Sequence, residues 1–372
     1  MSEPCAHVHA IGPCAHVHAI GLCAHVRAIG LCAHVRAIGL CAHVRAIGLC
    51  AHVCAVAWVV LVLLLAGSLA GCMQPTEAPL RIGTNVWIGS EPLYLARELG
   101  HLDSKAVQLV EYPSASEVLR AFRNQAIDGM VITLDELFPL AIDGLDPRII
   151  LVVDVSHGAD VVVGRQGMEG MRDLKGKRVA VESGALGAYV LSRALALSGM
   201  LAADVQIVHL ESNEQPNAFE KGRVDGAVTF DPYRSQLLAA GATTLFDSTR
   251  IPGEIVDLVA VRANVLQEQK KAVQMLLAGW FKAIDYLERN PQDAARRMGV
   301  RQQTSGEQFL QSMRGLRIPS REDNLRMIGG AAPELVMSGG RLMDLMLDAK
   351  LLRAGVSIGE LLAPQPLMQL RQ

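Results

Sequence analysis

LRIGTNVWIGSEPLYLARELGHL, residues 80–102, sets an apolar strand from Leu80 to Trp87 directly before an amphipathic helix, with glycine and serine at the junction. DLKGKRVAVESGALGAYVL, residues 173–191, repeats the arrangement, with a strand from Arg178 to Val181 and a Ser-Gly junction at 183–184. Short apolar strands alternating with amphipathic helices define an α/β fold with largely parallel sheets. Further strands read at Val107 to Tyr112, Gly129 to Ile132, Ile149 to Val153, Asp160 to Gly164, Val205 to Leu210, Gly226 to Phe230 and Asp257 to Val261. After Ala263 the strand signal ceases, and helices are expected over Gln267 to Glu288, Gln292 to Met298, Gly306 to Arg314 and Pro333 to Lys350. The expected architecture is two α/β lobes with a helical tail. Lobe 1 comprises 80–160 plus 255–372 with the tail, and lobe 2 comprises 161–254.

Ahead of these lobes, an apolar run from Ala55 ends in Leu69, Ala70, Gly71 and Cys72, the order of a bacterial lipoprotein cleavage signal. The run is shorter than the roughly 20 apolar residues that span a bilayer, which suits a signal peptide better than an uncleaved anchor. Cleavage before Cys72 removes residues 1–71, which hold the cysteines at 5, 14, 23, 32, 41, 50 and 54, and leaves a lipidated chain with no internal disulfide. Several acyl chains on one cysteine hold a protein stably on a membrane. Residues 72–79 then form a linker. Before the apolar run, CAHVHAIGP recurs as CAHVRAIGL with a cysteine every nine residues from Cys5 to Cys50. That period presents no continuous face to a helix or a strand. The stretch reads most simply as a tandem duplication or upstream start, with initiation near Val44 an alternative, rather than as a Cys/His metal site.

The chain has 372 residues with 35 basic and 37 acidic side chains. Removing residues 1–71 takes away Glu3 but also Arg27, Arg36 and Arg45, so the remainder is more acidic. No basic block interleaved with aromatics is present, which argues against a nucleic-acid partner. The remainder is long enough to bury two cores of ordinary size.

Four stretches carry a family resemblance: residues 80–102 and 173–191 quoted above, DGMVITLDE (128–136) and GRVDGAVTFDPY (222–233). In this order they resemble the substrate-binding proteins of nitrate/sulfonate/taurine-type ABC importers, in the thiamine-pyrimidine-synthase-like superfamily. The resemblance implies a two-lobed periplasmic-binding-protein fold of type II, with a cleft and two crossing strands at Asp160 to Gly164 and Asp257 to Val261. It also implies a monomer on the periplasmic face of a bacterial membrane, delivering a small-molecule ligand to an ABC permease and ATPase complex.

The residues point to the same cleft without the resemblance. In open α/β sheets, ligands sit beyond the carboxyl ends of strands, where helix N-termini present unpaired amides. Trp87, Gly89 and Ser90 follow one strand, Thr133 and Asp135 another, Ser183 and Gly184 a third, and Asp231 a fourth. With Ser156 and Asp160, from the turn between two apolar strands, these are the expected ligand-binding residues. Ser90, Thr133, Ser183 and Asp231 also read as helix N-caps. Gly89 also reads as a turn residue, Trp87 as a stacking surface, His157 as a solvated turn residue and Trp280 as core.

Segments 84–94, 129–138, 153–164, 182–190 and 229–233 hold Glu91, Asp135, Glu136, Asp154, Asp160, Glu182 and Asp231, and no lysine or arginine. A carboxylate in a closing cleft pairs with an ammonium or ring N–H, so a nitrogen-containing ligand is expected. A sulfonate held by helix N-termini alone is the alternative. The chain after Cys72 has no paired-histidine metal motif, no Cys-x-x-Cys, no GK[ST] phosphate loop and no G-x-S-x-G elbow, so neither catalysis nor a cofactor is expected. A ligand-sensing lipoprotein reporting to a membrane signalling protein would use the same closure of two lobes.

Overall fold

The computed structural model describes residues 78–182 and 184–370, with Trp58 alone ahead of them. Cys72, the rest of the apolar run and the nine-residue repeats lie outside the described residues, as does Ser183. Among the described residues no helix is long and apolar enough to cross a membrane. Residues 78–370 belong to one compact unit, Glu77–Gln372.

Two sheets organise this unit. The first lobe is built on a six-stranded sheet of β1 (Leu80–Asn85), β2 (Val107–Tyr112), β3 (Gly129–Thr133), β4 (Pro147–Ser156), β10 (Val256–Arg262) and β11 (Leu316–Arg317), in the order β11-β4-β10-β3-β1-β2. The second is built on five strands, β5 (Val161–Arg165), β6 (Arg178–Val181), β7 (Gln206–His209), β8 (Gly226–Thr229) and β9 (Ala242–Asp247), in the order β7-β6-β8-β5-β9. The helices that matter here are α1 (Glu91–Glu98), α2 (Ala115–Arg123), α3 (Leu134–Ile142), α4 (Ala185–Leu197), α5 (Gln215–Glu220), α6 (Tyr233–Ala239), α7 (Lys270–Arg289), α8 (Pro291–Arg301), α9 (Gly306–Met313), α10 (Arg321–Ile328) and α11 (Glu334–Asp348).

The two lobes are thus α/β as expected, but the sheets are mixed rather than largely parallel. β1 pairs in parallel with β2 and β3, and β6 with β7 and β8. The chain then passes from one sheet to the other, so β10 enters antiparallel between β3 and β4, and β5 runs antiparallel to β8 and β9. The crossing is made by the segments between Ser156 and Val161 and between Asp247 and Val256, while the strands themselves stay within one sheet each. A pair of serines staples the two crossings: Ser156 Oγ and Ser248 Oγ are 2.7 Å apart, and Ser248 Oγ accepts from the Gly158 N–H at 2.6 Å. Gly158, at φ +107°, occupies a backbone conformation that residues with a Cβ rarely adopt. His157 beside it is exposed.

The same ion pair builds the parallel core of each lobe. Arg81 forks onto Asp128 (Nε to Oδ2 3.0 Å, Nη2 to Oδ1 2.8 Å), and Arg178 onto Asp225 (3.0 and 2.9 Å). Each arginine lies on the first strand, and each aspartate precedes the glycine that opens the third. The fork therefore sets the register of the outgoing and returning strands at the end remote from the cleft.

The strand signal does not end at Ala263. β11 is two residues long and pairs with Ser156 and Val155 of β4, and β9 was also not expected. Beyond the reach of β11, Asn324 of α10 takes over the edge of β4: its Oδ1 accepts from the Val152 N–H at 2.6 Å and its Nδ2 donates to the Val152 carbonyl at 3.1 Å. The tail thereby belongs to the first lobe. α7 lays Val273, Leu276, Leu277 and Trp280 into its core against α1, where Leu102 fills the space a side chain at Gly279 would need. Trp280 is fully buried, as expected.

Asn324→Ala would strand a buried N–H and a buried C=O on β4, and should cost about 2 to 4 kcal/mol. Urea unfolding of the variant is expected to show a lowered midpoint at an unchanged slope. A loss under 0.5 kcal/mol would mean that water replaces the amide.

Candidate functional site

The strand ends converge between the lobes. From the first lobe come Asn85 at the end of β1 and Trp87 after it, Ala115 opening α2, Thr133 and Glu136 at the start of α3, and Asp257 at the start of β10. From the second come Glu182 and Gly184 after β6, Ser212, and Thr229 and Phe230 at the end of β8. Asp160 lies on the crossing, and all of these line one cavity of about 30 Å³. That volume is room for one or two waters, so a larger ligand requires the lobes to part or side chains to yield.

The lobes touch through both apolar and polar groups. The Trp87 ring meets Phe230 edge-on at 5.2 Å and 87°, and Phe230 in turn meets Tyr233 at 5.9 Å. Ser116, in the first turn of α2, donates from its backbone N–H and its Oγ to Glu182 Oε1 at 2.8 and 3.0 Å. The Ser212 hydroxyl donates to the other Glu182 oxygen. Glu136 Oε1 of the first lobe lies 2.8 Å from where a Cβ on Gly184 would stand, so any side chain at 184 would displace it. Gly184 is the N-cap of α4. The starts of α2 and α4 are therefore each approached by a glutamate of the opposite lobe, while that of α3 carries its own Glu136.

No arginine, lysine or histidine is among the cavity-lining residues, whereas Glu136, Asp160, Glu182 and Asp257 are. Asp135 and Asp154 lie fully buried around them. Asp154, Asp257 and Thr133 form a row across three adjacent strands. Like charges directly opposite on a sheet are unfavourable, and burial adds to the penalty. Burial pushes Asp135 and Asp154 up to about 7 and Asp160 to about 6, the last moderated by the Ser156 hydroxyl and Arg234. Burial and the neighbouring acids raise Glu136 and Asp257 well above the carboxylate range. Glu182 is raised by burial but restrained by its serine donors. Among the described residues no group of three or more His, Cys, Asp or Glu has a geometry that would hold a metal ion.

Several buried polar atoms have no hydrogen-bond partner: Trp87 Nε1, Thr133 Oγ1, both oxygens of Asp135 and of Asp154, Asp160 Oδ2 and Thr229 Oγ1. Such atoms are uncommon in a folded protein, and each carries a desolvation penalty.

Of the expected residues, the structure brings Trp87, Thr133, Asp160 and Gly184 to the cavity wall. Asp135 is buried beside the wall, in the first turn of α3. Gly89, Ser90, Ser156 and Asp231 do not line the cavity. Gly89 serves close approach, because a Cβ there would strike both Asp154 and the Trp87 indole nitrogen. Ser90 stands at the N-cap of α1 as expected, but its side chain makes no capping hydrogen bond: its Oγ donates to the Trp87 carbonyl at 2.9 Å and fixes the turn carrying that ring. Ser156 belongs to the crossing staple. Asp231 holds the first turn of α6, accepting from the Ser235 N–H and Oγ at 3.1 and 2.6 Å. Pro232, not Asp231, stands at the N-cap. Glu91, counted among the cleft acids, turns away into Arg301 (3.0 Å) and Gln302 (2.6 Å). Glu136, Glu182, Asp257, Thr229 and Phe230 were missed as site residues, although two of them stood out as acids in cleft segments.

Residues 73–300 match the family described as NMT1-like. A protein of Escherichia coli (strain K12), provisionally named an aliphatic sulfonates-binding protein, is 29% identical over 195 residues, which cover 50% of this chain and 60% of that one. The chain thus spans less than two thirds of that relative. Among solved structures, the alkanesulfonate-binding protein SsuA from Xanthomonas axonopodis pv. citri bound to MOPS superposes with a TM-score of 0.64 at 20% identity, over 77% of this chain and 98% of that one. The desulfurization enzyme DSZB superposes with a TM-score of 0.57 at 16% identity, over 77% and 97%. These likenesses establish the two-lobed periplasmic-binding-protein fold. Because an enzyme shares it, the fold does not separate binding from catalysis.

The raised carboxyl groups determine how stability depends on pH. Between the ordinary 3.8 and about 7 the folded protein binds protons that the unfolded chain releases, so these groups make stability fall as pH rises through that window. Asp225, Asp293 and Asp323, lowered by their partners, act below 3.8. The ligand-free protein is expected to melt several degrees higher at pH 5.5 than at pH 8, and Asp257→Asn to flatten that difference. A melting temperature that climbs from pH 5.5 to 8 would show the cluster to be ionised and compensated.

Proposed function

Because the chain belongs to the NMT1-like family, we propose that it is the solute-binding component of an ABC importer whose cleft takes a small organic ligand bearing a cationic nitrogen. The observation that carries the ligand's charge is the cavity wall, with four carboxyl groups and no basic side chain. A cation entering this space replaces the protons that the acids otherwise retain, and meets charge-assisted acceptors where water is scarce. Asp160 and Asp257 are the proposed partners of the nitrogen. Trp87 and Phe230 supply apolar and aromatic surface for the remainder, and the unpaired Thr133 and Thr229 hydroxyls supply orientation. Gly184 leaves the close approach open. Ser183, beside Gly184, keeps its proposed role on the sequence alone.

A second reading has its own support. Two of the proteins named above are sulfonate binders by name or title, and the starts of α2 and α4 open on the cleft, where backbone amides favour an anion. Titration calorimetry with matched probes, butylamine and butane-1-sulfonate, separates the readings. Butylamine is expected to bind more tightly at pH 8 than at pH 5.5, because it competes with protons, and Trp87→Ala and Asp160→Asn should each weaken it about 10- to 100-fold. Sulfonate binding without amine binding, indifferent to Asp160→Asn, would reverse the assignment.

We further propose export and lipid anchoring through Cys72, on the lipoprotein signal in the sequence, which places the ligand site on the extracytoplasmic side. Labelled palmitate is expected to enter the wild type and not Cys72→Ser. Mature protein that retains residues 1–71 by mass spectrometry would exclude the cleavage.

A further inference from the structure

The carboxylate of Glu182 sits where a ligand anion would be expected to sit. It leaves the end of β6 in the second lobe, crosses the cleft, and takes the N–H and hydroxyl of Ser116 at 2.8 and 3.0 Å in the first turn of α2. The Ser212 hydroxyl holds its other oxygen in the second lobe. Glu182 is thus bonded in both lobes at once. α2 has nine residues, and its cap is already made by Ser114, which accepts from the Glu117 N–H. Ser114 takes only the Glu117 N–H, so the Ser116 N–H is left to a group from across the cleft. On the opposite side, Glu136 covers the start of α4 at Gly184. Thr229 Oγ1, buried and without a partner, faces the same cavity.

We infer that Glu182 is the specificity-determining residue of the cleft: its carboxylate occupies the start of α2 from the opposite lobe and bars anionic ligands from that helix end. A sulfonate or carboxylate ligand would have to displace an anion already held by three donors, and would then lie beside Glu136 and Asp160. A cation has no such competitor and gains the Glu182 carboxylate as a further acceptor. The inference rests on the cleft being a solute site, but not on the charge of the natural ligand.

Two variants test it with the full-length mature chain and the same two probes. Glu182→Ala vacates the helix end, while Glu182→Gln keeps the shape and the serine contacts but removes the charge. Butane-1-sulfonate affinity is expected to rise about tenfold or more in Glu182→Ala and by a smaller factor in Glu182→Gln, in keeping with a charge at a helix end. If circular dichroism shows both variants folded and sulfonate affinity stays within twofold of wild type, Glu182 does not set specificity. That result leaves an amine-binding wild type intact. Conversely, a wild type that ignores butylamine beside a Glu182→Ala variant that gains sulfonate would support Glu182 and defeat the proposed ligand.

Discussion

Six carboxyl groups, on Asp135, Glu136, Asp154, Asp160, Glu182 and Asp257, are buried around one cleft with no basic side chain on its wall. An ionised carboxylate taken out of water is costly unless something compensates it, and the usual responses are a proton, a partner or a donor. This protein uses all three unevenly. Glu182 receives serine donors, Asp160 receives a distant influence from Arg234, and the row of Asp154 and Asp257 is left to retain protons. Trp87, Gly89 and Ser90 are arranged around that row: the serine fixes the turn, the glycine yields space to Asp154, and the indole nitrogen faces it. The local fold at the end of β1 is organised around the acid beneath it.

The geometry that gathers these acids comes from repetition. Each lobe contains three strands held in parallel, β1, β2 and β3 in one and β6, β7 and β8 in the other, and each locks the first of these to the third through an arginine–aspartate fork at the same sequence separation, 81 to 128 and 178 to 225. The forks lie at the far ends of the strands. Consequently the near ends, and the helices that leave them, point from each lobe toward the other. Because the chain crosses twice, the antiparallel strands β5 and β10 begin at the cleft where the parallel strands finish, which is why Asp160 and Asp257 join the site from strand starts. Acids from strand ends and strand starts are thereby packed into one small volume.

This history explains what was legible in the sequence. The limits of β2 and β6 follow from apolar runs bounded by polar residues, and the clustering of Trp87, Thr133 and Gly184 follows from the rule that ligands lie beyond strand ends. β9, Ala242–Asp247, has two threonines where a buried strand would carry aliphatic residues, and β11 exists only through its pairing with β4. Neither has a local signal strong enough to read. Asp257 sits in an otherwise apolar strand, and only the register that sets it opposite Asp154 reveals its role. Glu136 resembled an ordinary first-turn acid, and its Oε2 does accept from the Thr133 N–H at 3.4 Å. Its approach to Gly184 depends on the second lobe. Ser90 and Asp231 show the converse: each has the right residue type at the right place, yet the side chain is used within its own turn.

The relatives' sulfonate names and the acidic wall of this cleft are compatible once backbone and side chains are considered separately. Strand ends that face a cleft place helix starts there, and the backbone amides of a helix start can hold an anion. Side chains decide whether those amides remain available. In this chain both facing helix starts are met by a glutamate from across the cleft, and the remaining wall adds two aspartates. A scaffold suited to anions thus carries acids of its own at these two helix starts, and at one of them Glu182 is hydrogen-bonded where an anion would sit. The ligand class is therefore a property of a few side chains at inherited helix ends, and it can change between relatives while the fold, the crossing and the forks remain the same.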